Sequence, residues 1–457
     1  MGMGQRLCSR TGYRLTELRP VPAVMESGSK GTQGFGAAAA APPHERPNKT
    51  GSALPSSTPD YRYDQTALVF QGGGALGAFQ AGAYEAFHEL DVEPNWYAGI
   101  SIGSVNAAII AGNAPDERVT MLRSFWNLVT SGPPDGDDNW NFGISGVYGA
   151  RAASVLGTAA SLIGGAPGFF KPRGPAQMFA APGSIDAVSF YDTAPLIETL
   201  KNHVDFERLN HKKTARVSLG AVEVENGNFV YFDNREHFMG PEHIMASGAL
   251  PPGLPWIEIE GVKYWDGGLV SNTPLAHVLR EARGDALVFE VDLFPARGAL
   301  PQTLIDVEER RKDIVYSSRT RMNTDAFRER HALKNALRKV IESVPEEDRD
   351  TPEIRHARRL IADHRVTLVH LIYRHDGFIG ASKDYEFSRT SMLRHWQQGH
   401  SDAAEILAHD CWRQPPPHDE AIAVYALDHT RGLDERHGLD RIGLREQHEP
   451  NMPEKGT

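Results

Sequence analysis

An α/β fold with a largely parallel central sheet flanked by helices is what this sequence predicts, on three observations. Short, fully apolar runs recur along the chain, apolar residues at helical spacing separate them, and glycine-rich turns join one to the other. Parallel strands covered by helices on both faces read as continuous apolar runs, because neither face meets water. Alternating strand and helix is the pattern such folds leave in a sequence.

The first strand is "TALVF" (66–70), and a helix follows over 78–90 with Phe79, Ala83, Ala86, Phe87 and Leu90 on one face. "WYAGI" (96–100) is the second strand and "IGSVNAAIIAGN" (102–113) the second helix, which stops near Gly112-Asn113. "RVSLGAVEVENGNFVYFDN" (216–234) predicts two strands around an Asn226-Gly227 turn. "ALVFEVDLF" (286–294) is a further strand and "VTLVHLIY" (366–373) the last. Residues 303–343 alternate apolar and charged, as one or two amphipathic helices with a solvated charged face. A final helix over 391–407 packs Met392, Trp396, Ile406 and Leu407 inward. Residues 1–61 and most of 413–457 are polar or Gly/Ala/Pro-rich without periodicity and predict disorder. A core over 62–300 with an extension over 301–412 packed on it is therefore expected.

Composition narrows the function. A formal charge of −11 excludes a general nucleic-acid binder, which needs clustered Lys and Arg for phosphate contacts. Cys8 and Cys411 are the only cysteines and lie near the two ends, so a reducing, cytoplasmic setting is expected over a disulfide framework. The first 30 residues lack the continuous apolar core of a signal peptide.

Chemistry enters at the second strand, which runs into "GISIG" (99–103). This fits G-x-S-x-G, in which a serine sits on a strained turn between strand and helix. Ser101 would then face solvent at a helix N-terminus, where backbone N–H groups and the helix dipole favour negative charge. The plain alternative is a glycine-rich turn whose serine is an N-cap.

The glycines at 72, 74 and 77 satisfy G-x-G-x-x-G after the first strand, the pattern of a dinucleotide site. Such a site needs an acidic residue at the end of the second strand for the ribose. Here that strand ends in Ser101, and Asp91 and Glu93 come before it begins; no Lys-Ser/Thr follows the loop for a Walker-type site. A glycine loop next to a nucleophilic serine instead suits an oxyanion hole built from backbone N–H groups.

Three blocks, "GGGALG" (72–77), "GISIG" (99–103) and "WDGGLVSNTP" (265–274), resemble the hallmark segments of the patatin-like phospholipase family, in order. "MASGALPPGLP" (245–255) resembles a fourth, and the likeness spans roughly 66–295. "KDYEFSRTSMLRHWQQGHSDA" (383–403) resembles a C-terminal extension of uncharacterised role in a bacterial branch of that family. The resemblance implies a three-layer patatin-like fold and a Ser–Asp dyad of Ser101 and Asp266. It implies an oxyanion loop of Gly72, Gly73 and Gly74 completed by the Ile102 N–H, with Gly77, Gly99, Gly103, Gly267 and Gly268 shaping the turns. A lipid or acyl-ester substrate is implied, without metal or organic cofactor. The family usually carries Arg where this chain has Leu76, which weakens the expectation of an anionic substrate.

"AASVLGTAASLIGGAPGFF" (152–170) is uncharged and about long enough for a membrane span. Ser101 precedes it and Asp266 follows it, however, and the dyad requires them on one side. It is expected to be a buried insertion or an apolar lid, with "KPRG" (171–174) suited to an anionic surface and peripheral membrane contact. His370 or His375 could complete a Ser–acid–His order, and His277 lies near Asp266 in sequence; core or surface histidines are the simpler reading. The tail histidines (His418, His429, His437, His448) lack metal-ligand spacing. Two other functions stay open at this level, a catalytically silent lipid-binding scaffold of the same fold and a dinucleotide-binding protein. The sequence carries no signal of oligomeric state.

Overall fold

In a computed structural model, residues 63–130, 161–361, 364–374, 383–417, 420–428 and 432–435 are described. The calls of disorder over 1–61 and over most of the tail lie outside them, as do His375 and the four tail histidines.

The chain opens with β1 (Gln65–Phe70), α1 (Gly77–Glu89), β2 (Trp96–Ile100), α2 (Ile102–Ala111) and α3 (Arg118–Val129). After α4 (Ala194–His203) and α5 (Phe206–Leu209) come β3 (Arg216–Glu223), β4 (Phe229–Asp233) and α6 (Pro241–Ser247). The core closes with β5 (Ile257–Ile259), β6 (Val262–Asp266), α7 (Leu275–Glu281) and β7 (Ala286–Asp292). The extension adds α8 (Leu304–Tyr316), α9 (Thr320–Ser343), α10 (Pro352–Leu360), β8 (Val366–Ile372) and α11 (Arg389–Leu407). Two strands follow, β9 (Ile422–Asp428) and β10 (Gly432–Glu435).

Among the described residues one sheet holds these strands in the order β10-β9-β8-β7-β1-β2-β3-β6-β5, with β4 also on β3. The run from β9 to β3 is parallel throughout, and antiparallel strands occupy both margins. Why the strands are apolar on every position is plain at β1. Leu68 and Phe70 join a core with Phe79 of α1, Ile109 of α2 and Trp396 of α11, whereas Ala67 and Val69 face Val278 of α7 and Phe327 of α9. Helices cover both faces, which gives three layers and leaves no face for polar alternation.

Two expectations change. The last strand is not 366–373: "IAVYALD" of β9 pairs in parallel with β8, so the sheet runs past residue 412 and the boundary set there is too early. Helix α8 turns its acids inward, with Asp306, Glu309 and Asp313 buried and Leu304, Ile305, Ile314 and Val315 exposed. Lys383, itself buried, is the reason for two of them: its ammonium lies 2.8 Å from Asp313 and 3.5 Å from Glu309, while Asp306 accepts from the Gln302 and Thr303 N–H groups at 3.1 and 2.9 Å. The part of 152–170 that is described ends in Phe169 and Phe170 packed against the core, and no described helix is long and apolar enough to cross a membrane.

Candidate active site

Strand register brings Ser101 and Asp266 together. Along one edge of β3, β2 pairs up to Ile100↔Gly220, and β6 takes over at the next residue with Ala221↔Asp266; β4 occupies the other edge. The residue after β2 and the last residue of β6 are therefore neighbours by construction. The Ser101 hydroxyl faces the Asp266 carboxyl closely enough to pull it toward its ionised form.

Ser101 has φ 55° and ψ −125°, a conformation costly for a residue with a Cβ. What holds it there is a set of bonds from α6. The Ser101 N–H donates to the Ser247 carbonyl and hydroxyl oxygens, both at 3.1 Å, and the Ser247 hydroxyl donates to the Gly220 carbonyl at 2.6 Å. The turn also needs its flanking glycines for room: a Cβ on Gly99 would meet the Gly103 backbone at 2.5 Å, and one on Gly103 the Phe70 carbonyl at 2.5 Å. Gly77 opens α1, against Ile102.

Asp266 is buried, and burial pushes its carboxyl up to about 7 against the pull of two groups, the Ser101 hydroxyl and the Gly268 N–H at 2.7 Å. Gly267 and Gly268 make the 3₁₀ turn that delivers the second of these. A carboxyl held near 7 exchanges a proton readily at neutral pH.

The glycine loop lines the same cavity. One expected role is corrected: the Gly72 N–H is engaged, donating to the Asn272 carbonyl at 3.1 Å, so it is not an oxyanion donor. Among the described residues the N–H groups of Gly73, Gly74 and Ile102 have no partner. Gly74 has φ +54°, and a Cβ there would run into the Asp384 carbonyl of the extension, which packs directly on the loop.

Several residues that sequence reasoning passed over hold this arrangement. Gln71 donates to Thr273 Oγ1 (2.8 Å) and to the Tyr316 carbonyl (3.0 Å), and accepts from the N–H groups of Leu293 and Phe294 (2.6 and 2.8 Å). Asn272 donates to the Gly72 carbonyl (3.0 Å) and the Tyr316 carbonyl (3.1 Å). Asn272 sits inside the quoted block "WDGGLVSNTP" and Gln71 directly before "GGGALG", which was the available signal. Tyr316, Asp384, Tyr385 and Phe387 also line the cavity and come from the extension; the last three lie in the quoted "KDYEF", but nothing in the sequence placed that block at the site.

The histidines fall elsewhere. His370 Nε2 lies 2.6 Å from Asp292, on the far side of β1 from Ser101's strand. With Glu290 these two form a buried group whose ligand atoms lie within 4.8 Å of one another, and such a group could hold a metal ion. His277 is stacked on Tyr231 and edge-on to Trp96, and burial lowers its pKa to about 4, as for a core histidine. The basic residues of "KPRG" are paired, Lys171 with Asp192 at 3.2 Å and Arg173 with Asp186.

A family model described as patatin-like phospholipase matches residues 68–279, and one described as patatin phospholipase matches 314–419. The chain belongs to the patatin-like phospholipase family. Family membership thus spans both the core and the extension. Triacylglycerol lipase SDP1L of Arabidopsis thaliana is 32% identical over 69 residues, which is 15% of this chain and 9% of that lipase. Of solved structures, VipD from Legionella pneumophila aligns at 12% identity and TM-score 0.33, over 76% of this chain and 67% of VipD. The full-length SpcU–ExoU complex of the Pseudomonas aeruginosa type III secretion system aligns at 18% identity and TM-score 0.23, over 58% of this chain and 52% of the matched one.

Proposed function

We propose that this member of the patatin-like family is a serine acyl hydrolase, a carboxylic ester hydrolase acting on lipid or other acyl esters. The observation that carries it is that strand register brings Ser101, on its strained turn, beside the buried carboxyl of Asp266, which burial pushes up to about 7. The family's name and that of the related lipase point to the same class of substrate.

The reaction follows from the groups present. Asp266, ionised, takes the Ser101 proton as the hydroxyl oxygen attacks the ester carbonyl carbon. The oxygen that gains charge is met by the N–H groups of Gly73, Gly74 and Ile102, which need no reorganisation to receive it. Collapse breaks the bond between acyl carbon and alcohol oxygen, and Asp266 returns its proton to the leaving alcohol. Water then gives a proton to Asp266, adds to the acyl-enzyme, and releases the acid and Ser101. The acyl chain would lie in a second cavity that shares Ser101 and is lined by Val105, Leu196, Ile244, Met245 and Leu254. Ile163 and Phe179 are exposed apolar residues of the segment that includes Phe169 and Phe170, and we assign peripheral contact with a lipid surface to it.

The test is intact mass after a fluorophosphonate probe, on wild type and on Ser101→Ala. One adduct on wild type and none on the variant is the expected result. A folded wild-type protein that takes no adduct, with or without liposomes, would favour the silent lipid-binding scaffold instead.

A further inference from the structure

We propose that the alcohol side of this site is walled by the extension and accepts only uncharged leaving groups: the substrate is a neutral acyl ester whose alcohol carries free hydroxyls, such as a monoacylglycerol, and anionic headgroups are refused. The inference rests on the acyl-hydrolase reading above and adds the substrate class.

Charge is the first argument. The titratable acids lining the cavity are Asp266 and Asp384, and among its described lining residues there is no lysine, arginine or histidine. Two lysines that lie against lining residues, Lys312 over the Tyr385 ring and Lys383 over the Phe294 ring, are already committed. Lys312 lies 2.5 Å from the Asp384 carboxylate, and Lys383 turns away to Asp313 at 2.8 Å. Where the family usually has arginine in the glycine block, Leu76 is wholly buried against the core. A phosphate entering here would lose its hydration without meeting a counter-ion, and would sit beside Asp266 in the step where that carboxylate must be ionised.

Hydrogen bonding is the second. Tyr316 and Tyr385 line the cavity together with Asp266 and Asp384. Among the described residues neither hydroxyl has a hydrogen-bond partner. Burial raises the pKa of both, so they are neutral O–H groups at any physiological pH, each able to donate to an alcohol oxygen and to accept from a free hydroxyl. Two unengaged phenols at the rim of an acid-lined cavity match an uncharged polyol and do not match a phosphate, which wants cationic donors. The apolar branch lined by Val105 and Met245 takes the acyl chain, so the two branches sort the two halves of one ester.

The experiment compares two soluble substrates with the same short acyl chain, a monoacylglycerol and its glycerol-3-phosphate counterpart, on the full chain. Fluorophosphonate labelling of Ser101 runs in parallel. A kcat/KM at least about tenfold higher for the neutral ester, with Ser101 labelled, is the expected outcome. Equal or faster cleavage of the phosphate-bearing ester by a labelled enzyme overturns the inference and leaves the hydrolase reading standing. No label and no turnover of either ester removes the underlying reading, and the inference with it. Two variants locate the discrimination. Asp384→Asn should narrow the ratio between the substrates, and Tyr385→Phe should raise KM for the monoacylglycerol more than it lowers kcat. Unchanged ratio and KM in both folded variants would likewise overturn the assignment of the wall.

Discussion

In the proposed reaction Asp266 must be both a buried carboxyl and a proton acceptor, and its environment balances the two. Removal from water raises it to about 7, while Ser101 and the Gly268 N–H pull the other way. Only the ionised form can take the serine proton, so the acylation rate should climb as pH rises through about 7 and level off above it. Asp266→Asn should flatten that profile and lower kcat by roughly 10²–10⁴. Stability should move oppositely. The folded pKa lies above the ordinary carboxyl value, so the proton bound in the folded state stabilises fully below about 4, and that contribution is lost as pH rises towards 7. Asparagine keeps an acceptor for the Gly268 N–H and never ionises. Melting curves should therefore show the variant gaining over wild type between pH 4 and 7, by roughly 1–4 kcal/mol at the plateau. A variant no more stable than wild type at pH 8 would mean that Asp266 is better solvated than its burial indicates. At this scale the strained turn at Ser101 was legible from its flanking glycines, whereas the pairing with Asp266 came only from the resemblance of the motif blocks. Gly72 was misassigned because which N–H of a glycine run stays free depends on Asn272, 200 residues away, and spacing holds no record of that.

Among the elements, α1 and α11 show how a helix crossing can be written in glycine. A Cβ on Gly82 of α1 would collide with the Trp396 carbonyl, and one on Gly399 of α11 with the Phe79 carbonyl. The two helices approach backbone to backbone, and the Trp396 indole N–H reaches Glu85 at 2.6 Å across the seam. In an exposed helix, Gly→Ala stabilises by about 1 kcal/mol through backbone entropy. Here the added methyl has nowhere to go, and overpacking of this kind costs about 1–3 kcal/mol. Gly399→Ala should consequently lower the melting temperature, and a rise would show that the helices can slide apart without loss. The inward packing of Met392, Trp396, Ile406 and Leu407 was readable from helical spacing, and the structure buries all four. The inverted face of α8 was not, since the cation that draws two of its acids inward is Lys383, about seventy residues on. Strand β9 escaped notice for a different reason: "AIAVYALD" lies just past a proline-rich stretch, and composition averaged over the tail concealed seven good strand residues.

For the molecule as a whole, the extension is a continuation of the core and not an appendage. Strand β7 has β1 on one side and β8 on the other, so the sheet passes without a break from residues of the core to residues of the extension. The described residues from 63 onward form one compact unit. The active-site loop depends on the same continuity: Gln71 and Asn272 both donate to the Tyr316 carbonyl, and the Asp384 carbonyl rests on Gly74. Stopping the chain at residue 300 would strip β7 of its outer neighbour, uncover the α1 face now under α11, and leave two buried amide groups short of an acceptor. An exposed apolar strand edge is a template for aggregation, and each orphaned buried donor costs about 1–3 kcal/mol. The piece ending at 300 should therefore be insoluble or lack a cooperative melt, while the full chain unfolds in a single transition seen alike by near-UV and far-UV circular dichroism. A soluble 63–300 fragment that still takes the fluorophosphonate label would show that the core builds its oxyanion loop unaided, and the wall assigned to Tyr316 and Tyr385 would then tune a site that exists without it. Two separate transitions in the full chain would point the same way. With neither, folding of the extension and assembly of the site are one event, which places the discrimination of the alcohol and the stability of the glycine loop in the same set of contacts.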